Sequence, residues 1–355
     1  MIESTRPAAP DALEHFFFQV TEAFGQAAGQ GPLLTQQRRL AGRTLRLEFA
    51  GPAMQACVVP ALDHLPRVPD AVPDLRVCIF DSASTGVALP AAPWGDDAQV
   101  ARGEILGLES SQTVRVTLQP GSAVLTLYHP SSATALMWIA DARDCPYWEA
   151  AAPLRGLLHW WCAAHGLQLV HAAAIGTADG ALLLTGKGGS GKSTTALSAL
   201  VGGLRYLGDD YVVCENGAAG PAVHSLYNTA KVGSDSLAML PSLTASGTLS
   251  PGEGQDKAVL YTACGYRAQL SPTLPLRAIL VPRITGGAPA LLPLTAGAAF
   301  LALAPTTLFQ LPGAGRATTA FLRELVTSLP CYQLALGPDM QALVALLKDS
   351  VAAGR

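Results

Sequence analysis

The stretch LLLTGKGGSGKSTTALSAL, residues 182–200, constrains the fold more than any other part of the chain. Residues 186–193 read GKGGSGKS and satisfy the pattern G-x-x-x-x-G-K-[S/T] in full. The sequence predicts an apolar strand at 181–185 before this pattern and a helix at 193–201 after it, closed by two glycines. A strand, a glycine-rich turn and a helix in that order are typical of a phosphate-binding loop in an α/β protein.

The residue types in this loop predict how it would bind a nucleotide. Glycines allow backbone N–H groups to point inward at an anion, and the helix N-terminus adds its positive dipole. Lys192 would reach the β- and γ-phosphates of ATP, and the Ser193 hydroxyl would bind Mg²⁺. The alternative is an ordinary glycine-rich strand–helix turn. The predicted nucleotide-binding residues are Gly186, Lys187, Gly188, Gly189, Ser190, Gly191, Lys192, Ser193 and Thr194.

Two adjacent carboxylates, Asp209 and Asp210, lie in YLGDDYVV, 17 residues after Lys192. The sequence predicts a strand, an acidic corner and a second strand here. Paired acids beside a nucleotide can divide their roles: one holds the metal, and the other accepts the proton of an attacking hydroxyl. The alternative is an Asp-Asp turn that only connects two strands.

His171, 21 residues before Lys192, is a third candidate and begins the strand that precedes the predicted turn at 178–180. It would stabilise charge on a transferring phosphoryl group, or else it is a structural histidine beside alanines. Further basic residues stand in charge-poor surroundings, and each would contact a phosphate or an acidic substrate, or else be a solvated surface cation. These are Lys231, Lys257, Arg283 and Arg316.

Composition argues against several classes of protein. Half of the 355 residues are hydrophobic and only 14% are charged, so the chain must bury a large core. This apolar composition also permits a homo-oligomer interface. The formal net charge of −3 argues against bulk electrostatic capture of nucleic acid. The seven cysteines form no C-x-x-C pair. Because the number is also odd, zinc ribbons, redox pairs and a secreted disulfide framework are disfavoured, and most of the thiols are expected to be buried.

The sequence also predicts where the chain resides. The N-terminus lacks a basic segment followed by a long apolar one, so we expect no signal peptide and a cytoplasmic protein. Two apolar stretches resemble membrane spans. Residues 157–176 contain three histidines, which are costly in lipid. Residues 284–315 are broken by prolines and glycines, which favours short strands and turns over a continuous helix. No membrane association is predicted.

The chain divides into two predicted domains. Residues 12–30 are expected to be helical, and from about 43 to 140 short strand-like segments alternate with turn residues. We therefore predict a mainly β N-terminal domain at 1–145, of unknown role. The segment 147–166 reads as one helix that opens an α/β domain at 146–355. Two more helices are predicted near the C-terminus, at 317–329 and 338–352.

These landmarks together resemble the catalytic core of the HPr kinase/phosphorylase family. The resemblance covers residues 171–210, from His171 through the loop to the acidic pair. It includes the histidine strand, the turn, a G-x-x-G-x-G-K-S loop and a T-A-L helix. The resemblance implies an α/β fold with a P-loop kinase core of the HPr kinase/PEP carboxykinase type. It also implies that Asp209 is the catalytic base, that Asp210 and Ser193 hold Mg²⁺, and that His171 lies near the phosphates.

The family also suggests an acceptor. Bifunctional members carry an R-G-x-G-I-type signature after the acidic pair, associated with dephosphorylation, and that signature does not occur here. The layout is more similar to HPr-kinase-like proteins of peptide natural-product pathways, which phosphorylate a serine of a precursor peptide. We thus expect an ATP- and Mg²⁺-dependent kinase whose partner is a protein or peptide bearing a serine. Two alternatives stay open: a small-molecule hydroxyl kinase with the same core, and a nucleotide-dependent switch without transfer.

Overall fold

The computed structural model describes residues 10–95, 98–109, 111–119, 123–243, 248–250 and 257–352, which form two compact units. Unit 1 contains the described residues of Met1–Val59, Arg67–Trp161 and Leu311–Gly313. Unit 2 contains those of Pro60–Pro66, Cys162–Gln310 and Ala314–Arg355. Both units combine helices with strands, so the protein is a mixed α/β protein. The domain division at 145/146 stays a prediction.

The elements are numbered in chain order. The helices are α1 (Pro10–Gly29), α2 (Ala53–Leu62), α3 (Ser82–Thr85), α4 (Tyr147–Ala151), α5 (Arg155–Ala164), α6 (Lys192–Val201), α7 (Ser234–Met239), α8 (Ala263–Tyr266), α9 (Ala296–Leu308), α10 (Arg316–Ser328) and α11 (Met340–Ala352). The first strands are β1 (Leu33–Leu40), β2 (Arg43–Ala50), β3 (Leu75–Asp81), β4 (Val100–Ala101), β5 (Glu104–Ile105), β6 (Arg115–Leu118), β7 (Leu125–His129) and β8 (Thr134–Ile139). The later strands are β9 (Leu167–Val170), β10 (Ala173–Thr177), β11 (Gly180–Leu184), β12 (Arg205–Gly208), β13 (Val212–Gly217), β14 (Gly220–Ser225), β15 (Thr229–Gly233), β16 (Thr248–Ser250), β17 (Lys257–Tyr261), β18 (Thr273–Ile284), β19 (Ala290–Pro293) and β20 (Cys331–Leu336).

Unit 1 is built on a six-stranded sheet in the order β1-β2-β3-β8-β7-β6. Helix α1 confirms the helix predicted at 12–30. Its apolar residues recur at helical spacing and are buried in the core of this unit with residues of the sheet. Members of that stripe are Leu13, Phe16, Phe17, Val20 and Phe24. The strands confirm a β-rich region, but α2 and the short α3 make that region more helical than the turn-rich pattern predicted.

Two helix predictions need correction. The single helix expected at 147–166 is interrupted between α4 and α5, because Pro153 disfavours helical backbone at Ala152 and Leu154 adopts a positive φ of 60°. The segment 284–315, expected to form only strands and turns, contains the 13-residue helix α9. Thr295 caps its N-terminus by accepting a hydrogen bond from Ala298 N–H. Pro305 lies in the last turn and removes one backbone donor there, so the helix forms in spite of this proline.

The cysteines partly follow expectation. Four are buried thiols, as predicted: Cys78, Cys162, Cys214 and Cys331. Cys264 is exposed. Cys57 and Cys145, however, form a disulfide with their Cα atoms 6.5 Å apart. Their separation of 88 residues left no spacing signal in the sequence.

Unit 2 is built on a nine-stranded sheet with helices on both faces. Its main path runs β12-β10-β11-β18-β14-β13-β9, and β20 joins it beside β18. Alternate residues of β11 point to two different cores. Leu182 and Leu184 are buried with residues of α6 and α11, whereas Ala181 and Leu183 are buried with residues of α9 and α10. A strand buried on both faces reads as a continuous apolar run, which explains the sequence GALLL.

Four strands of unit 2 end along one edge of the sheet. Strand β11 is parallel to β18, and β18 is parallel to β20. Strand β10 is antiparallel to both β11 and β12, so β12 runs in the same direction as β11. Their last residues, Gly208, Leu184, Ile284 and Leu336, define what we call the carboxyl edge. In open α/β sheets ligands bind outside the carboxyl ends of strands. None of the helices described is long and apolar enough to cross a membrane.

Candidate active site at the carboxyl edge

The glycine loop (residues 186–191) connects β11 to α6 at the carboxyl edge. Gly186, Gly189 and Gly191 have φ values of 143°, 75° and 98°, a region that side-chain-bearing residues rarely adopt. A Cβ on Gly191 would also lie 2.4 Å from Leu336 Cδ1. Residues 187–189 are exposed. The loop therefore has the backbone freedom and the access that an anion-binding turn requires.

Helix α6 begins at Lys192, immediately after the glycine loop. The N-cap, Gly191, provides no side-chain cap, so backbone N–H groups of the first turn are available to an anion. The buried Lys192 ammonium donates hydrogen bonds to the carbonyl oxygens of Gly186 and Lys187, at 2.7 and 3.3 Å. A bound phosphate would offer this ammonium a charged acceptor instead of neutral carbonyls.

Two sharp bends face each other on the sheet beside the loop. At the histidine bend (residues 170–172), Ala172 N–H donates to Val170 C=O at 3.0 Å. At the acidic bend (residues 209–211), Tyr211 N–H donates to Asp209 C=O at 2.8 Å. The flanking strands pair on both sides of the bends, β9 with β13 and β10 with β12. This pairing sets His171 opposite the acidic residues.

Asp210 occupies the centre of the acidic bend with φ at 66°. A three-residue turn around a positive φ is rare and strained, and such strain is concentrated at functional sites. Its carboxylate contacts two basic side chains: Oδ2 lies 2.9 Å from Lys231 Nζ, and Oδ1 lies 3.8 Å from His171 Nε2. Burial alone would raise the pKa of Asp210, but the contact with His171 and the charge of Lys231 outweigh it and hold that pKa well below its ordinary value.

Asp209 has the opposite environment. Its side chain is 1% exposed, and neither carboxylate oxygen has a well-directed hydrogen-bond partner among the described residues. Burial and the neighbouring charge of Asp210 raise the pKa of Asp209 to about 7, although the Ser193 hydroxyl and Lys192 act in the opposite direction. A carboxylate whose pKa lies near neutrality is suited to proton transfer.

Other buried polar atoms near these elements also have no hydrogen-bond partner in the part of the chain that the structure describes. They are Thr185 Oγ1, Ser190 Oγ and His171 Nδ1. Buried polar atoms in native proteins are nearly always satisfied, so such a group calls for a ligand, an ion or water. Together with the loop and the carboxylates, they fit a site for a phosphate chain and a metal ion.

The donor set also fits Mg²⁺ rather than a metal held only by protein. No group of three or more His, Cys, Asp or Glu side chains in the described ranges could hold a metal. Mg²⁺ commonly takes one or two protein oxygens and completes its shell with phosphates and water. The Ser193 hydroxyl and a carboxylate of the acidic pair are ligands of that kind.

Helix α9 supports both bends from one side. Thr307 Oγ1 accepts a hydrogen bond from the backbone N–H of His171 at 3.1 Å. Just beyond the end of the helix, Gln310 Oε1 accepts one from the Tyr211 hydroxyl. The Tyr211 ring in turn lies 5.4 Å from the ring of His171, between centroids. The two bends thus share one supporting element.

The structure brings together the main residues that the sequence indicated: His171, Lys192, Ser193, Asp209 and Asp210. Of the four further basic candidates, Lys231 joins the site through Asp210, whereas Arg283 and Arg316 are solvent-exposed. The side chain of Lys257 lies outside the described residues. Tyr211 and Thr307 had no signal in the sequence. Lys231 lies on β15 and reaches Asp210 through a tertiary contact, which motif spacing does not report.

Comparisons with known proteins add little to this geometry. No protein-family model and no curated protein matches the sequence. Among solved structures, the chain is similar to the Hpr(Ser) kinase/phosphatase from Coxiella burnetii. That match has 10% sequence identity and a TM-score of 0.28, and it covers 50% of this chain and 94% of the other. Identity and TM-score this low carry no argument about activity.

Proposed function

We propose that the protein is an ATP- and Mg²⁺-dependent kinase that transfers the γ-phosphoryl group to a hydroxyl, with a P-loop core of the HPr kinase type. One observation carries the proposal: a glycine loop with a buried lysine lies beside two adjacent carboxylates whose environments differ. Asp210 is ion-paired and Asp209 is buried without a well-directed partner among the described residues. A nucleotide switch needs phosphate contacts but has no use for a buried carboxylate of raised pKa.

The two aspartates have separate roles in this reaction. The acceptor hydroxyl oxygen forms a bond to the γ-phosphorus as the bond from that phosphorus to the β,γ-bridging oxygen breaks, and ADP leaves. Asp209 accepts the hydroxyl proton. Lys192, the first-turn N–H groups of α6 and His171 stabilise negative charge on the phosphates. Asp210 and Ser193 would hold Mg²⁺, which when bound neutralises charge on the phosphate oxygens.

The acceptor we propose is a serine of a protein or precursor peptide. Support for a peptide comes from the resemblance of residues 171–210 to kinases that phosphorylate serines. The chemistry of the site requires only a hydroxyl that can approach Asp209. A small-molecule hydroxyl is therefore the competing acceptor, and a transfer assay with both kinds of acceptor separates the two.

The test is phosphoryl transfer from γ-labelled ATP in the presence of Mg²⁺. Serine-bearing peptides encoded beside the gene and a panel of hydroxylated metabolites serve as acceptors. We expect a peptide to be labelled and Asp209→Asn to lower the transfer rate by about 10²- to 10⁴-fold while ATP binding persists. Lys192→Ala should lose ATP binding itself.

The matched control is Asp179→Asn, an exposed aspartate in the turn at the opposite end of β11, which should transfer at the wild-type rate. Wild-type activity in Asp209→Asn would remove that residue as the base. Labelling of a metabolite but no peptide would assign the small-molecule reaction. ATP binding without transfer to any acceptor would favour a nucleotide-dependent switch.

A further inference from the structure

An apolar cavity of about 460 Å³ opens beside the glycine loop in unit 2. Gly191 and Thr194, at the start of α6, are both predicted nucleotide-binding residues and also line this cavity. The opposite wall comes from Ile284 and Leu336, the last residues of β18 and β20. The volume lies in the range of sites for small molecules and cofactors.

The order of features along the carboxyl edge is fixed by strand pairing. Asp209 follows β12, the glycine loop follows β11, and the cavity lies at the ends of β18 and β20. Strand β10 separates β12 from β11, and β18 is the neighbour of β11 on the other side. The glycine loop therefore lies between the acidic bend and the apolar cavity. A nucleotide has the same order, with a terminal phosphate, a phosphate chain and an apolar base.

The lining of the cavity is suited to a flat apolar group. Its side chains include Met239, Pro338 and Met340 in addition to Ile284 and Leu336, and no charged residue among those described contributes. Methionine is flexible and polarisable and makes favourable contacts with aromatic rings. Ile284 and Met239 are 68% and 49% exposed, so apolar surface is open to a ligand at the cavity mouth.

We propose that this cavity binds the purine base of the nucleotide, an inference that rests on the proposed function and names a subsite for its substrate. The triphosphate lies over the glycine loop, with its terminal phosphate towards Asp209 and its base between Ile284 and Met340. Recognition comes mainly from apolar contact. A site of this kind discriminates poorly between related ligands, because it leaves no buried polar group unpaired when the wrong one binds.

The test compares the binding of ATP, GTP and inorganic tripolyphosphate by isothermal titration calorimetry with Mg²⁺ present. We expect the wild-type protein to bind ATP more tightly than tripolyphosphate and to distinguish ATP from GTP by no more than about tenfold. Ile284→Asn should lower the affinity for ATP about tenfold and leave the affinity for tripolyphosphate unchanged. Because Ile284 is solvent-exposed, this substitution should leave the fold intact.

The matched control is Leu292→Asn, a half-exposed strand residue that does not line the cavity and should change neither affinity. As a second measurement that needs no variant, photolabelling with 8-azido-ATP should modify residues 336–343. The proposal would be overturned if Ile284→Asn lowered the affinities for ATP and tripolyphosphate equally, or if it lowered neither. Photolabelling confined to segments other than 336–343 would also overturn it.

Failure of this inference differs from failure of the kinase proposal. A wild-type protein that binds tripolyphosphate and ATP equally tightly retains a phosphate site but has no base subsite here. A protein that binds neither ligand has no nucleotide site, and the kinase proposal fails with it. Discrimination between ATP and GTP by about 10³-fold or more would show that hydrogen bonds, rather than apolar contacts, read the base.

Discussion

Asp209 and Asp210 occupy neighbouring backbone positions but differ in burial, partners and pKa. Asp210 turns outward at a positive φ and reaches Lys231 and His171, whereas Asp209 points into the protein. The charge of Asp210 is thereby stabilised, and it opposes ionisation of Asp209. Two titratable groups whose environments separate their pKa values are a common basis for dividing acid–base from binding roles.

The raised pKa of Asp209 has a consequence for stability. Between the ordinary carboxyl pKa of 3.8 and about 7, the folded protein holds a proton on Asp209 that the unfolded chain has released. The wild-type free energy of unfolding therefore falls as pH rises through this window. Asparagine has no such proton, so Asp209→Asn should raise the melting temperature relative to wild type, more at pH 8 than at pH 5.

Thermal denaturation of both proteins at the two pH values measures this difference. Asp179→Asn, whose parent carboxylate is exposed, should show no pH-dependent gain. If Asp209→Asn raised the melting temperature by the same amount at pH 5 and pH 8, the raised pKa of Asp209 would be contradicted. A variant that is more stable but inactive is the expected result, since functional groups are often held at a cost to stability.

Lys231 is a positioning residue for Asp210 in our interpretation. Without its ammonium, 2.9 Å from Oδ2, the carboxylate would lose the contact that orients it. Loss of a group that orients a metal-binding carboxylate typically costs about 10- to 100-fold in metal affinity or activity. Lys231→Met should therefore raise the Mg²⁺ concentration for half-maximal transfer by about that factor.

The Mg²⁺ dependence of transfer is the measurement, and Lys231→Arg is the conservative variant. Arginine keeps the charge and should recover part of the lost Mg²⁺ affinity. A lower Mg²⁺ requirement in Lys231→Met would show that the ammonium competes with the metal for Asp210 instead of orienting it.

At the scale of elements, two of the glycines in the glycine loop, Gly191 and Gly188, differ in their surroundings. Gly191 has φ at 98°, and a Cβ there would lie 2.4 Å from a Leu336 methyl group, whereas a Cβ on Gly188 would meet nothing within 4 Å. Gly191→Ala should lower the free energy of unfolding by about 1–2 kcal/mol from the left-handed backbone alone. The displaced Leu336 would add to this loss and disturb the first turn of α6.

Gly188→Ala is the control within the same loop, and it should leave the free energy of unfolding within about 0.5 kcal/mol of wild type. Urea denaturation measures stability, and tripolyphosphate titration measures the phosphate site. Equal effects of the two substitutions on both quantities would contradict the packing of Leu336 against Gly191.

Elements that local chemistry determines were predicted well. The pattern GKGGSGKS and its apolar strand located β11, the glycine loop and α6 with correct order and nearly correct bounds. The hairpin at 178–180 and the helices α10 and α11 were also found. Helix α9 was not, because the prolines and glycines of the segment 284–315 are typical of turns, whereas the packing that stabilises the helix involves residues distant in the chain.

At the scale of the whole molecule, the sequence predicted the content of the site better than its geometry. Motif spacing indicated His171, Lys192 and Asp209 but not that two strand pairs would set the bends opposite each other. Lys231 and the cavity depend on contacts between distant segments, as does the disulfide of Cys57 in unit 1. Register and strand order are determined by packing over the whole sheet, so local patterns do not encode them.

Helix α9 and the residues just after it contact both bends, so this segment couples the two bends to each other. Thr307 holds the histidine bend, and Gln310 holds the acidic bend through Tyr211. A small translation or rotation of this helix would move both bends together and so alter the distance of His171 and Asp209 from the glycine loop. A displacement of α9 would therefore be transmitted to both bends at once rather than to either one alone.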